Sequence, residues 1–268
     1  MKYLVIKCGG SVMEQLPSSF YEDIVDLHVS GEWMPIIVHG GGPLISTLLK
    51  TNGIETKFVD GLRVTTEEVL DVVEMVLSGT VNKQIVRRLL KHGGKAFGIS
   101  GVDGTLLKTI PTTNHHELGF VGEVAEVNKN IIETIIDAGF IPVISPVGID
   151  EEGQRYNING DIAASAVAKA LGGSMCMISD IPGIYTEVDG EKFTLNKLTK
   201  KEVEKLIDRG MISGGMVPKV KAAIDGLVHQ VPEVVIINGM EPNSLKRFTE
   251  GNEIGTKIVL DEECLHVH

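Results

Sequence analysis

Three glycine-rich stretches in this sequence could bind phosphate groups: "KCGGS" (Lys7–Ser11), "HGGGP" (His39–Pro43) and "SGGMVPK" (Ser213–Lys219). Glycines before a helix leave backbone N–H groups open to an anion, and the helix dipole favours negative charge at the same end. A single Gly-Gly pair is more simply a tight turn or a helix cap. Here three such stretches occur together, and two of them contain a lysine. This combination favours a single site that binds a polyphosphate.

The common nucleotide-binding motifs do not explain these glycines. A P-loop has a glycine five residues before its Gly-Lys pair, whereas the pair Gly94-Lys95 has Leu89 at that position. In "GGGPLI", Ile45 stands where a dinucleotide-binding fingerprint has its third glycine. A phosphate site built from these stretches therefore needs another scaffold.

Polar residues alternate in "YNINGDIAA" (Tyr156–Ala164). In an extended chain, Asn157, Asn159 and Asp161 share one face while Ile158 turns to the core. Two amides on one face can donate to and accept from an amide and a carboxylate. A polar edge strand is the simpler alternative, and Asp161 alone also reads as a first-turn acid favoured by a helix dipole.

Composition narrows the class of protein. The 268 residues carry a net charge of −11, and the pI is about 5.2, so we expect no nucleic-acid or anionic-membrane partner. Cys8, Cys176 and Cys264 are scattered without metal-like spacing, which is typical of a reducing compartment. The first apolar run is too short for a signal peptide, and no run reaches membrane-spanning length. These features predict a cytoplasmic location.

Short apolar runs alternate with segments of helical periodicity, which predicts an α/β fold around a mainly parallel sheet. Three helices are predicted. The first follows a capping box formed by Thr65 and Glu68, and the other two span Asn130–Ala138 and Ile162–Leu171. The turns between Leu106 and Glu126 indicate hairpins that project from the sheet. The predicted strands are Lys2–Lys7, Met34–His39, Lys95–Ser100, Ile141–Pro146, Ser174–Ser179 and Glu233–Asn238.

Over essentially its whole length the sequence resembles the amino-acid kinase family. The matching motifs, in family order and spacing, are "KCGGS", "VHGGGP", "DGLRVT" (Asp60–Thr65), "YNINGDIAA", "SDIPGIY" (Ser179–Tyr185) and "GGMVPK". "GLRVT" together with "NINGD" (the pattern N-x-N-x-D) points to the branch that acts on N-acetyl-L-glutamate. The resemblance implies a three-layer α/β sandwich with two lobes. Residues 1–173 are expected to bind acetylglutamate and to dimerise, and residues 174–268 to bind ATP.

The activity that this resemblance implies is ATP-dependent phosphorylation of the γ-carboxylate of N-acetyl-L-glutamate, giving N-acetyl-L-glutamyl 5-phosphate in the second step of arginine biosynthesis. A carboxylate with a pKa near ~4 is already ionised, so no general base is needed. Positioning and electrostatics then carry the catalysis. By the resemblance, Lys7 and Lys219 stabilise the transition state and Asp161 orients both ammonium groups.

The resemblance also assigns the two ligands. Arg63 is expected to grip the substrate α-carboxylate, and Asn157 and Asn159 its acetamido group. Backbone N–H groups of Gly41 and Gly42 should meet the reacting carboxylate and phosphoryl oxygens, where a Cβ would collide. The residues expected to bind the nucleotide are Gly9, Gly10, Asp180, Gly183, Tyr185, Met211 and Ser213.

Magnesium is expected to be held by the nucleotide phosphates and water, with no protein ligand. His115 and His116 lack partners at ligand spacing and are predicted to be solvated loop residues.

Members inhibited by arginine carry an extra helix before the first strand, which links dimers into a hexamer. Here the first predicted strand begins almost at Met1, so we expect a homodimer without arginine feedback, formed through a helix such as Glu67–Ser78.

Two alternatives stay open at this point. A kinase for a related acid, such as carrier-bound aminoadipate, should show a basic patch near Arg63, and none is apparent. A non-catalytic amino-acid sensor should lack Lys7, Asp161 or Lys219, and all three are present.

Overall fold

The computed structural model describes residues 2–188, 191–212 and 216–260. Its strands are β1 (Lys2–Cys8), β2 (Trp33–His39), β3 (Phe58–Val59), β4 (Leu62–Arg63), β5 (Ala96–Ser100), β6 (Leu107–Pro111), β7 (Val121–Val127), β8 (Ile141–Ser145), β9 (Val147–Ile149), β10 (Arg155–Ile158), β11 (Ser174–Ser179), β12 (Tyr185–Val188), β13 (Glu191–Thr194), β14 (Lys197–Thr199), β15 (Val234–Asn238) and β16 (Thr256–Val259). Its α-helices are α1 (Gly10–Met13), α2 (Ser18–Ser30), α3 (Gly42–Thr51), α4 (Glu67–Glu74), α5 (Asn82–Lys91), α6 (His115–Leu118), α7 (Lys129–Asp137), α8 (Gly160–Leu171), α9 (Lys200–Asp208), α10 (Met216–Val228) and α11 (Ser244–Thr249).

Eight strands form the central sheet in the order β14-β16-β15-β11-β1-β2-β8-β5. Within it, β15 and β16 pair antiparallel, and the other neighbouring strands pair parallel. In the centre, Cys8 of β1 lies opposite His39 of β2. The glycines that follow these two strands therefore leave the same edge of the sheet side by side.

Helices cover both faces of the sheet and bury two separate apolar cores. Along β1, Leu4 and Ile6 belong to the core beneath α2, α3, α4 and α5. Val5 between them faces the opposite core, beneath α7, α8, α9 and α10. This alternation explains why the central strands are apolar throughout, since both faces of each strand are covered. The three layers confirm the predicted α/β sandwich.

A four-stranded barrel of β10, β7, β6 and β9 stands beside the sheet. The antiparallel β6–β7 pair confirms the hairpin predicted between Leu106 and Glu126. β10 leads directly into α8, so the barrel delivers Asn157 to the sheet edge where the glycines lie.

The predicted sheet strands are confirmed to within one residue at each end, but the predicted capping box is wrong. Thr66, not Thr65, is the N-cap of α4, and its side chain accepts from the backbone N–H of Val69. Thr65 is fully buried and donates to the carbonyl of Arg63 instead. The helix begins one residue later because Thr65 is held in this buried contact.

Between α4 and α5 the chain makes a seven-residue π-helical segment, Met75–Val81. Such segments are rare, and they are frequent at functional sites. Here its side chains pack against the glycine stretch after β2, as described below. No helix within the described ranges combines the length and apolar character that crossing a membrane requires.

Candidate active site

A cleft of about 280 Å³ lies at the carboxyl ends of the central strands. In doubly wound sheets this edge is where ligands bind. The cleft brings together most of the residues predicted for catalysis and substrate binding, with both N-terminal glycine stretches. Its lining includes Lys7, Gly9, Gly10, Gly41, Gly42, Arg63, Asn157, Asn159 and Asp161.

The two glycine stretches touch each other through their backbones. A Cβ on Gly10 would lie 2.8 Å from the Cα of Gly41, closer than any side chain can come. A Cβ on Gly41 would lie 2.7 Å from Cδ2 of Leu77 in the π-helical segment. A Cβ on Gly42 would meet no protein atom within 4 Å. Gly10 is thus required by the neighbouring backbone, and a side chain at Gly41 would require Leu77 to move. The sequence predicted a collision with ligand instead.

Each of these stretches also opens a helix. Gly10 is the first residue of α1 and Gly42 the first residue of α3. The first N–H groups of a helix have no acceptor within it, and they lie at the positive end of its dipole. Because both helix starts line the cleft, its floor offers backbone donors suited to an anion.

Lys7 and Asp161 form an ion pair in the cleft, with Nζ 2.8 Å from Oδ1. Asp161 lies in the first turn of α8, whose N-cap Asn159 accepts from the backbone N–H groups of Asp161 and Ile162. Although Oδ1 is buried, the approach of Lys7 does not meet hydrogen-bond geometry, and no other described residue donates to this oxygen. The attraction between Lys7 and Asp161 is thus one of charge at short distance.

Lys219 has different partners from those predicted. Its Nζ donates to Oγ of Ser179 at 2.8 Å and to Oδ1 of Asp180 at 3.3 Å. Hydrogen bonds from the backbone N–H of Asp180 and from Lys219 hold the pKa of this carboxyl below its usual value. Since β11 neighbours β1, Lys219 lies at the same sheet edge as Lys7, but it is paired with Asp180 rather than with Asp161.

Arg63 is a buried cation. Its side chain stacks over Phe58, and Nη2 donates to Oγ of Ser46 at 2.8 Å and to the carbonyl of Gly42 at 3.2 Å. Nη1 is buried without a hydrogen-bond partner, and within the described ranges no carboxylate lies within 4.0 Å of the guanidinium. Burial lowers the pKa of Arg63 but leaves it charged at neutral pH. The cleft thus contains an unneutralised positive charge.

The two asparagines present different groups to the cleft. Asn157 donates from Nδ2 to Oγ1 of Thr65 at 3.1 Å, which leaves its carbonyl oxygen for a ligand. Asn159 commits its carbonyl oxygen to capping α8, which leaves its amide nitrogen. Together they offer one acceptor and one donor.

A second, smaller cleft of about 90 Å³ contains residues predicted to bind the nucleotide base. Gly183, Tyr185 and Met211 line it together with the apolar side chains of Ile184 and Ile212. Asp180 lies outside its lining and pairs with Lys219. Ser213, also predicted here, lies outside the described residues.

Among the described residues, no group of three His, Cys, Asp or Glu side chains is placed to hold a metal ion. His115 and His116 are exposed, and their rings are tilted by 40° with centroids 3.9 Å apart. They lie on the four-residue helix α6, not in the predicted loop.

Sequence reasoning missed several supporting side chains. Phe58 and Ser46 fix Arg63, and Ser179 holds Lys219. His39 and Asn82 are fully buried beneath the glycine stretch. Of these, His39 and Ser179 lie within the family motifs, so the motifs could have marked them as site residues. Nothing in the local sequence marks Phe58, Ser46 or Asn82.

Residues 2–238 match the profile of the amino acid kinase family. The chain is 48% identical over 267 residues to the acetylglutamate kinase of Oceanobacillus iheyensis, covering 100% of both chains. It is 46% identical over 265 residues to the acetylglutamate kinase of Bacillus velezensis, covering 98% of this chain and 99% of that one.

Solved structures show the same fold. The protein smu.665 from Streptococcus mutans UA159 superposes with a TM-score of 0.80 at 29% identity, covering 97% of this chain and 99% of that one. N-acetylglutamate synthase from Neisseria gonorrhoeae, complexed with coenzyme A and N-acetyl-glutamate, gives a TM-score of 0.78 at 22% identity, covering 97% and 60%.

The contact between the glycine stretches predicts an asymmetric response to alanine. Gly10→Ala should lower the free energy of unfolding by about 1–3 kcal/mol, because its Cβ must push the two backbones apart. Gly42→Ala is the matched control and should stay within about 0.5 kcal/mol, since its Cβ meets no protein atom. Urea denaturation of both variants measures the difference. Equal losses would show that the backbone contact does not constrain the site.

Proposed function

The chain belongs to the amino acid kinase family, and from this membership we propose that it transfers the γ-phosphoryl group of ATP to the γ-carboxylate of N-acetyl-L-glutamate. The product is N-acetyl-L-glutamyl 5-phosphate, formed in the second step of arginine biosynthesis. Relatives named acetylglutamate kinase, at 48% identity across the whole chain, support this substrate. The structural observation that carries the proposal is the unneutralised Arg63 in a cleft that also contains Lys7.

Arg63 is suited to the α-carboxylate of this substrate. A buried charge without a counterion is costly, so the cleft gains most from a ligand that brings the missing negative charge. A guanidinium binds a carboxylate with directed hydrogen bonds, and Nη1 still has its donors available. Phe58 and Ser46 already fix the side chain of Arg63, so binding a ligand costs little further side-chain entropy.

The two asparagines are suited to bind the acetamido group of the substrate. The group has one N–H donor and one carbonyl acceptor, which match the carbonyl oxygen of Asn157 and the amide nitrogen of Asn159. The γ-carboxylate is then directed toward the helix starts at Gly10 and Gly42. Being ionised at neutral pH, it can attack the phosphoryl group without a general base.

The difficulty of the reaction is the approach of two anions. Lys7 and the backbone N–H groups of Gly41 and Gly42 are placed to spread the charge of the transferring phosphoryl group, and Asp161 fixes the ammonium of Lys7. Orientation of Lys219 by the same carboxylate requires its ammonium to exchange Asp180 for Asp161.

We assign ATP to residues 174–268 and acetylglutamate to residues 1–173. Gly183, Tyr185 and Met211 line one small cleft with apolar neighbours, which supports placing the base there. Gly9 and Gly10 then face the phosphates. Asp161 and Asp180 are each committed to a lysine, so Mg²⁺ is best held by the nucleotide phosphates and water. Bound there, the ion neutralises phosphate charge.

Trapping with hydroxylamine tests the activity directly, because an acyl phosphate is converted into a stable hydroxamate. The purified protein is incubated with Mg-ATP and, in parallel, N-acetylglutamate, glutamate, aspartate or aminoadipate. We expect hydroxamate from N-acetylglutamate alone, and loss of the signal when EDTA is added. Hydroxamate from another acid would keep the chemistry and change the substrate. No hydroxamate from any acid, with ATP still bound, would favour an amino-acid sensor.

Replacing Arg63 separates charge from geometry. Arg63→Lys keeps a cation but loses the planar donors, so we expect KM for N-acetylglutamate to rise about 10–100-fold. KM for ATP should change less than about threefold, since Arg63 lines the other cleft. Steady-state kinetics with each substrate varied in turn measure both effects.

The control for this change is Arg247→Lys, on an exposed arginine that pairs with Glu241 at 3.9 Å. It should leave both KM values unchanged. If Arg63→Lys raised KM for ATP as much as KM for N-acetylglutamate, the assignment of Arg63 to the α-carboxylate would be wrong.

We propose that the active form is a homodimer joined through the segment Glu67–Ser78. Within this segment Met75 is 57% exposed, and a dimer formed here would cover its apolar side chain. Sedimentation velocity should give twice the chain mass of 28.9 kDa, and Met75→Glu should shift the protein toward monomer. Val29→Glu, at an apolar residue 75% exposed on α2, is the control and should stay dimeric. A monomeric wild type would refute the proposal.

The proposed location is the cytoplasm. Cys8 and Cys176 are both buried, unpaired thiols, as expected in a reducing compartment. ATP is available there as a co-substrate, and the partners we assign are small molecules.

A further inference from the structure

We propose that His39 is a positioning residue: together with Asn82 it fixes the carbonyl of Gly40 and so aims the backbone N–H of Gly41 at the transferring phosphoryl group. The inference rests on the proposed function for the identity of that group. The geometry that supports it lies wholly in the described part of the chain.

His39 ends β2, and none of its surface is exposed. Its Nδ1 lies 3.1 Å from the carbonyl oxygen of Gly40, and its Nε2 lies 3.3 Å from Nδ2 of Asn82. The cleft lining includes Gly40 but not His39. The imidazole therefore supports the site from beneath without touching a ligand.

The hydrogen bonds determine the tautomer of His39. Burial lowers its pKa to about 4, so the ring is neutral at neutral pH and has one donor and one acceptor nitrogen. Nδ2 of Asn82 can only donate, which makes Nε2 the acceptor. Nδ1 then carries the hydrogen and donates it to the carbonyl of Gly40.

Asn82 connects this histidine to two strands of the sheet. Its Nδ2 donates to the carbonyl of Val143 at 2.8 Å and lies 3.4 Å from the carbonyl of Ile99. Its Oδ1 accepts from Nζ of Lys83 at 3.0 Å. Because all these partners lie on β5, β8 or α5, the position of Nε2 in His39 is tied to the rigid part of the fold.

The peptide bond transmits this constraint to the cleft. The carbonyl of Gly40 and the N–H of Gly41 belong to one planar trans peptide, so they point in opposite directions. Fixing the carbonyl with His39 therefore fixes the direction of the N–H. On its other side, the N–H of Gly40 donates to the carbonyl of Cys8 at 2.9 Å, so both peptides that meet at Gly40 are held.

The π-helical segment presses the same loop from the other side. Leu77 and Val81 approach Gly41 so closely that a Cβ there would lie 2.7 Å and 3.3 Å from their methyl carbons. Asn82 follows this segment directly as the first residue of α5. One continuous stretch of chain thus supplies both the packing against Gly41 and the hydrogen bond to His39.

Three substitutions of His39 separate its two hydrogen bonds. His39→Asn places an amide N–H near the position of Nδ1 and keeps a donor for Gly40. His39→Gln reaches the position of Nε2 and meets Asn82 but loses that donor. His39→Leu fills the space without either bond. We expect kcat within about fivefold of wild type for Asn, and about 10–100-fold lower for Gln and Leu, with KM changed less than about threefold.

The matched control is His28→Leu. His28 also contacts a backbone carbonyl, that of Gly139 at 3.2 Å, but on α2 and away from the cleft. It should keep the kcat of the wild type. Thermal unfolding of every variant shows whether the fold survives. Should His39→Leu not fold, the comparison of Asn with Gln decides, since both are polar and of similar size.

Hydrogen exchange by mass spectrometry tests the positioning independently of activity. Amides of residues 40–42 should exchange at least about tenfold faster in His39→Gln than in wild type or His39→Asn, without substrate present. A wild type that forms no hydroxamate would refute the proposed function while leaving this comparison intact. Equal kcat and equal exchange in the Asn and Gln variants would overturn the role of His39.

Discussion

The backbone contact between Gly10 and Gly41 is the constraint on which the site depends. Parallel pairing brings Cys8 and His39 side by side, so the chains that leave β1 and β2 must pass within van der Waals distance. With no Cβ at either position, two helix starts lie at one edge and aim their free N–H groups into one cleft. The meeting of these two helix starts is therefore a consequence of strand order and of two missing side chains.

Charge in the site is arranged on the same edge. Lys7 on β1 and Lys219 on α10 are each matched by one carboxylate, so both ammonium groups are fixed without leaving net charge behind. Arg63 differs because its fixing contacts are neutral: an aromatic ring, a hydroxyl and a carbonyl. Its charge stays available to a ligand. Lys7 and Lys219 are thus each paired with a carboxylate, whereas Arg63 is held by neutral groups.

The sequence predicts the sheet well because buried parallel strands must be apolar on both faces, a pattern readable over five or six residues. The family motifs contain most of the residues that line the cleft, but not Ile45, Phe58, Leu77, Val121 or Pro146. The errors lie where tertiary contact decides. Thr65 is a residue type that often caps helices, but here it is buried in hydrogen bonds with Arg63 and Asn157. Thr66 caps α4 instead. The pairing of Lys219 with Asp180, and the support of His39 by Asn82, join residues 39 and 43 positions apart, and no local pattern encodes either contact.

A buried network of hydrogen bonds can restrain a glycine loop without adding side chains to the loop itself. Glycines allow close approach but bring conformational freedom, which would let donor directions vary. Side chains within the loop cannot restrain it, since any Cβ at Gly41 would collide with Leu77. Restraint must come from outside, through carbonyl groups that face away from the cleft. His39 meets this need because a neutral imidazole can donate to one side and accept on the other within a dry interior. Glycines that allow two backbones to meet thus make a buried histidine beneath them useful as a restraint.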